Sequence, residues 1–115
     1  MMRRLAVLVV LSLGLGVASP RAEETAAPDA EKVAKGQKVY AAQHCSMCHS
    51  IAGKGNTKTP LDDVGSKMKA EEISKYITNP KSVKADSKMK AYPSLAGDDL
   101  DALVTYMLTL TKKAS

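Results

Sequence analysis

Cys45, Cys48 and His49 are the residues of this chain best equipped for chemistry, and they fall within five positions, Cys45-Ser46-Met47-Cys48-His49. Two thiols three positions apart, followed at once by an imidazole, allow several kinds of site. A Cys-x-x-Cys redox pair expects a strand before it and a βαβ surround, and the sequence suggests neither. A structural zinc site needs four Cys or His ligands, and only His44 could join these three. A short disulfide beside an incidental histidine is the plainest alternative. The remaining chemistry is covalent attachment of a c-type haem, in which the sulfurs add to the two vinyl groups and the histidine reaches the iron. A single turn can offer both sulfurs to one edge of the porphyrin and swing the next side chain beneath the metal, so His49 is the expected proximal ligand.

A haem held in this way has a second axial position. Candidate methionines are Met47, Met68, Met89 and Met107. Met47 lies inside the attachment loop and cannot reach over the ring, whereas Met107 belongs to a helical apolar stripe and reads as core. Met68, just before a helix, stays open. Met89 is the favoured distal ligand, because an apolar side chain between Lys88 and Lys90 has no packing motive unless it turns inward. If Met89 points to solvent instead, the iron is open to small ligands. A ligating histidine donates its other ring nitrogen to a fixed acceptor, and a proline-held backbone carbonyl in Thr59-Pro60-Leu61, in the loop after the motif, is a candidate, an ordinary turn proline being the plainer reading of Pro60.

The elements that must position these groups follow from breakers and periodicity. Asp29 can cap a first helix from about Ala30 to Ala42, with Val33, Gly36 and Tyr40 on one face. Gly36 lowers helix stability by roughly 1 kcal/mol against alanine, so its expected use is close approach of another helix. Residues 50 to 65 read as loop, broken by Gly53, Gly55, Asn56, Pro60 and Gly65, with Leu61 and Val64 as apolar residues that could face the haem. A second helix is expected from about Ala70 to Thr78, ended by Asn79-Pro80. Residues 81 to 97 carry no helical stripe. A third helix begins near Asp98 and Asp99 and ends before Lys112, its stripe being Leu100, Leu103, Val104, Met107 and Leu108.

Before these comes a leader. Met1-Met2-Arg3-Arg4 is basic, Leu5 to Ala18 is apolar apart from Ser12, and small residues follow, the pattern of a secretory signal peptide cut after Ala18 or Ala22. The apolar run is shorter than the roughly 20 residues that cross a bilayer, and an uncleaved anchor is the alternative reading. Residues 1–22 are therefore read as signal and 23–115 as one domain placed in the periplasm, with residues 19 to 29 as a loose lead-in.

The mature part is marginal for burying a core unaided, and the chain has no Phe or Trp, so a covalent porphyrin would supply the missing flat apolar body. Both cysteines sit in one motif, which leaves none for a disulfide framework. The formal charge of +5 falls to about +2 or +3 without the leader arginines, which argues against nucleic-acid binding. Lys81, Lys84, Lys88 and Lys90 crowd the Met89 segment, opposed by Asp86 alone. They are expected either to steer an acidic face of a redox partner or simply to form a solvated loop.

In its order of features the chain resembles the class I c-type cytochromes. Gly36 and Tyr40, the motif at Cys45 to His49, the Gly/Pro loop from Gly53 to Pro60, Asn79-Pro80, Met89 and Tyr106 stand in that family's sequence, and the likeness covers nearly all of the mature region. The resemblance implies an all-α fold with one covalent haem, a short middle helix, and N- and C-terminal helices crossing where Gly36 makes room for Tyr106. It also implies Met89 as distal ligand, the Pro60 carbonyl holding His49, and a monomeric periplasmic carrier of single electrons whose membrane contact comes only through membrane-bound redox complexes. Three departures stand out: Lys90 follows the methionine where proline is common, and Ala96 and Lys69 stand where a Ser or Thr cap is usual. The alternatives are a sensor or enzyme with an open sixth site, a haem subunit of a larger oxidoreductase, and a thiol–disulfide module.

Overall fold

A computed structural model describes residues 29–112 together with Gly14 and Gly16; apart from those two glycines and Asp29, the expected leader and lead-in lie outside the described residues. Helix α1 spans Ala30–Ala42, α2 Val64–Lys67, α3 Ala70–Thr78, α4 Pro80–Val83 and α5 Gly97–Thr109. Two-residue strands β1 (Ser50–Ile51) and β2 (Lys54–Gly55) pair antiparallel, Ser50 opposite Gly55 and Ile51 opposite Lys54. The expected helices at 30–42 and 70–78 are observed at those bounds. The small hairpin lies in the stretch read as loop and α2 begins at its end, and α4 enters the stretch read as non-helical. Both extra helices have four residues, too few to display an apolar period.

Asp29 Oδ1 accepts the Glu31 N–H at 2.9 Å and starts α1, satisfying one of the donors that a helix start leaves free. The starts of α3 and α5, at Lys69 and Ala96, have no side-chain cap, as the departures at those positions implied. Pro80 occupies the first turn of α4 and is buried, a place where its missing N–H removes no helical hydrogen bond.

The body is organised by α1 lying across α5. A Cβ on Gly36 would overlap the Ala102 carbonyl oxygen and come within 2.6 Å of Tyr106 Cβ, so the two backbones meet where no side chain fits. Beside this contact Tyr40 and Tyr106 pack edge to face, with centroids 6.0 Å apart and planes at 82°, the geometry that aromatic quadrupoles favour. Ion pairs Lys32–Asp101 and Lys35–Asp99 span the rim of the crossing; being exposed, they contribute little.

The core is Val39, Ile73, Ile77, Leu95, Leu103, Val104 and Met107. Along α5 the stripe holds at Leu103, Val104 and Met107, but Leu108 is 36% exposed whereas Ala102 is fully covered. At about 100° per residue, the contact with Gly36 rotates the buried arc toward Ala102 and turns Leu108 out. Gly65 repeats the close approach on a smaller scale: a Cβ there would overlap the Leu108 carbonyl, and its N–H donates to Leu110 O at 2.8 Å. Lys112 N–H donates to Asp63 Oδ1 at 2.8 Å. The end of α5 is thereby fastened to α2. Hydrogen bonding to the Lys112 backbone first, and to the Ser66 side chain second, holds the Asp63 carboxyl below its ordinary range.

Gly36→Ala is expected to destabilise the haem-loaded protein by about 1–3 kcal/mol, the usual penalty of overpacking, as read from the midpoint of urea denaturation.

Candidate functional site

The motif is presented by a break in α1. Gln43 N–H closes the helix onto Val39 O, and His44 then takes φ 57°, a left-handed conformation uncommon outside glycine. A 3-10 turn at Cys45–Met47 follows, and both Cys48 N–H and His49 N–H return to Cys45 O, at 3.1 and 2.9 Å. The two thiols and the imidazole thus spring from one tight turn. No disulfide joins Cys45 to Cys48, and burial pushes the Cys45 thiol above its ordinary range.

Glycine and asparagine back the turn. Gly55 has φ +105°, and a Cβ on it would overlap the His49 carbonyl and stand 2.9 Å from Ser46 O. Asn56 donates its N–H to both of those oxygens and its side-chain amide to Met47 O at 3.3 Å.

His49 Nδ1 lies 3.1 Å from the carbonyl oxygen of Thr59, not that of Pro60, which corrects the expected acceptor by one residue. The cause is local. A residue before proline is pushed into extended backbone; Ser50 N–H donates to Thr59 O at 3.3 Å and Leu61 N–H to Ser50 O at 2.8 Å, with a parallel bridge between Ser50 and Pro60. That register turns the Thr59 carbonyl toward the motif. The Thr59 hydroxyl donates to Cys48 O.

Cys45, Cys48, His49 and Met89 line an open cleft of about 680 Å³, with Tyr76, Tyr92, Lys84, Lys88 and Lys90 among its other walls. Cys45, His49, Tyr76 and Met89 also line an inner lobe of about 280 Å³ walled by Leu61, Val64, Ile73, Ile77, Leu103 and Met107. Shared walls make these two lobes of one crevice. Met89 borders both lobes, whereas Met68 and Met107 border only the inner one. Met47 is 72% exposed and borders neither. Of the four lysines singled out in the sequence, Lys84, Lys88 and Lys90 border the mouth and Lys81 does not; Lys58 and the exposed His44 join them there.

The segment carrying Met89 is anchored on both sides. Ser87 is buried, its hydroxyl accepts the Met89 N–H at 3.2 Å, and Tyr92 N–H donates to Ile77 O at 2.9 Å. The Lys90 ammonium lies 5.6 Å from the Tyr92 ring centre. Tyr92 and Leu95 were invisible as site or core residues in the sequence, since they lie in a segment without a period.

The donor chemistry of the crevice, two thiols, an imidazole and a thioether before apolar walls, fits a covalently held haem. It suits the other readings less well. The motif follows a helix and not a strand, and no cluster of three or more His, Cys, Asp or Glu able to hold a metal ion occurs among the described residues.

The chain belongs to the cytochrome c family, whose model matches residues 33–111. It accordingly has the cytochrome c fold and takes a covalent haem c with its iron, for which two cysteines, Cys45 and Cys48, are present. Among curated proteins it is similar to cytochrome c oxidase subunit 2 of Alkalihalophilus pseudofirmus, with 27% identity over 85 residues that cover 66% of this chain and 25% of that protein. No solved structure matches. No helix among the described residues is long and apolar enough to cross a membrane.

Tyr40 also borders the inner lobe, and its hydroxyl is buried without a partner among the described residues. Burial, with smaller effects of Cys45, Tyr106 and Asp62, pushes its phenol from 10.0 up to about 12. Between those values the unfolded chain releases a proton that the folded chain keeps, so stability is intact below pH 10 and declines as pH climbs through this window. Tyr40→Phe is expected to flatten that alkaline decline and to leave stability at pH 7 unchanged or raised, as followed by denaturation midpoints across the range.

Proposed function

We propose that this protein is a one-electron carrier exported to the periplasm, in which His49 and Met89 would hold the iron of its haem. The observation that carries this reading is the crevice itself: His49 and Met89, 40 positions apart in the sequence, border both of its lobes. When bound, the haem supplies a one-electron iron couple. The chain's residues do the rest. Cys45 and Cys48 tether the ring, and His49 offers Nε2 to the metal while Nδ1–H rests on Thr59 O, which fixes tautomer and ring direction together. Met89 offers a soft thioether, which favours the ferrous state and raises the potential relative to a second histidine. Leu61, Val64, Leu103 and Met107 keep water from the inner lobe. Were His49 and Met89 both to hold the iron, small ligands would be excluded and the group would supply electron transfer alone.

Lys84, Lys88 and Lys90, with Lys81 on α4 nearby in sequence, give the Met89 side of the mouth a positive face that suits an acidic partner, in an encounter that is fast and weakened by salt. The similarity to an oxidase subunit favours a second reading, in which the same haem domain serves as a subunit of a larger oxidoreductase.

The oxidised protein, produced in an export-competent host, is expected to show the weak long-wavelength absorption of sulfur bound to ferric haem. Met89→Ala should abolish that band and let the reduced protein bind carbon monoxide at neutral pH, while Met68→Ala should keep the band. A native protein that binds carbon monoxide freely would overturn the two-ligand reading. For docking, Lys88→Glu with Lys90→Glu is expected to slow electron transfer to the native partner roughly tenfold or more at low salt, with the gap narrowing as salt is added; an unchanged stopped-flow rate would remove the docking assignment.

A further inference from the structure

Thr59 meets the motif at two successive residues. Its carbonyl oxygen receives His49 Nδ1 at 3.1 Å, and its hydroxyl donates to the carbonyl oxygen of Cys48, the residue from whose peptide His49 departs. The same carbonyl also accepts Ser50 N–H at 3.3 Å. One residue thereby grips the main chain before His49, the ring of His49 and the main chain after it. A proline disfavours helical backbone at the residue before it, and the bridge from Ser50 to Pro60 holds the register, so the grip has little freedom to slide.

We infer that the Thr59 hydroxyl is a positioning group for the proximal ligand: by pinning the Cys48–His49 peptide plane it aims the imidazole so that Nδ1–H meets the Thr59 carbonyl squarely. The inference rests on the reading of His49 as the iron ligand. A well-aimed Nδ1–H bond makes the imidazole a stronger electron donor and favours the ferric state. A loosened bond does the opposite. Thr59 and the Cys48 carbonyl are both exposed, so water can replace the lost hydroxyl energetically but cannot hold the peptide plane. For that reason the hydroxyl is expected to act on the ligand's electronics more than on stability.

The test uses the haem-loaded protein and three variants. Thr59→Val keeps the shape and removes the donor, Thr59→Ala removes the donor without filling its place, and Thr59→Ser restores it. Expected for both Val and Ala are a midpoint potential moved upward and exchange of the His49 Nδ1 proton with solvent roughly tenfold faster, the change that about 1.4 kcal/mol of weakened hydrogen bonding produces. Ser should return both readings toward the native values. If Val and Ala lower the melting temperature but leave potential and exchange unchanged, Thr59 is merely structural and the inference is overturned. The ligand reading is checked separately in the native oxidised protein, where the Nδ1 proton of a histidine on ferric iron is strongly displaced in the proton NMR spectrum. An undisplaced proton overturns the ligand reading and the inference together, whereas a displaced proton indifferent to the Val and Ala substitutions overturns the inference alone.

Discussion

Direct contact between the backbones of α1 and α5 is the constraint on which the rest of this molecule depends. Where Gly36 lies on Ala102, the helices come closer than side chains would permit, and that approach sets where α1 must stop. Two turns further on, the chain breaks at His44 into the turn that carries both thiols and the imidazole. On the other partner the same contact rotates Leu103 and Met107 into the inner lobe. A single helix pair thus fixes both the tether of the cofactor and the apolar surface it meets, and the shorter elements complete the enclosure.

The energetic logic is that of a domain too small for its own interior. Among the described residues the packed cluster has seven buried side chains, none aromatic, and a small domain buries a smaller fraction of its surface than a large one. The crevice is where that missing apolar body belongs. A group tethered covalently stays with the chain when it unfolds, so it adds to stability through the apolar surface it buries in the crevice on folding.

Much of this arrangement was legible in the sequence. The long helices were readable because capping and breaking residues, Asp29 and Asn79-Pro80, bracket periodic runs. That Cys45, Cys48, His49 and Met89 would border one crevice was readable from residue type against setting: reactive groups packed into five positions, and an apolar residue among lysines. The acceptor for His49 was misplaced by one residue because sequence identifies the rigid proline, whereas the preceding carbonyl, aimed by the pairing of Ser50 with the Pro60 segment, makes the bond. Leu108 was misassigned because a stripe shows which residues are apolar but not how far the buried arc has been turned by a glycine on the neighbouring helix. Tyr92, Leu95 and Lys58 lay beyond reach, since only the folded path of irregular segments brings them to the crevice or the core.

Ser87 and Tyr92 fasten the segment between them at both ends, one through a buried hydroxyl and the other through the last turn of α3. Lys90 stands where proline would otherwise stiffen the chain, so hydrogen bonds supply the firmness that a ring would have given. A redox centre exchanges charge fastest when the nuclei around it need to rearrange least between oxidation states. On the proposed ligation, then, these two fastenings govern how little the methionine's surroundings relax at each transfer, and so act on the speed of exchange independently of its driving force.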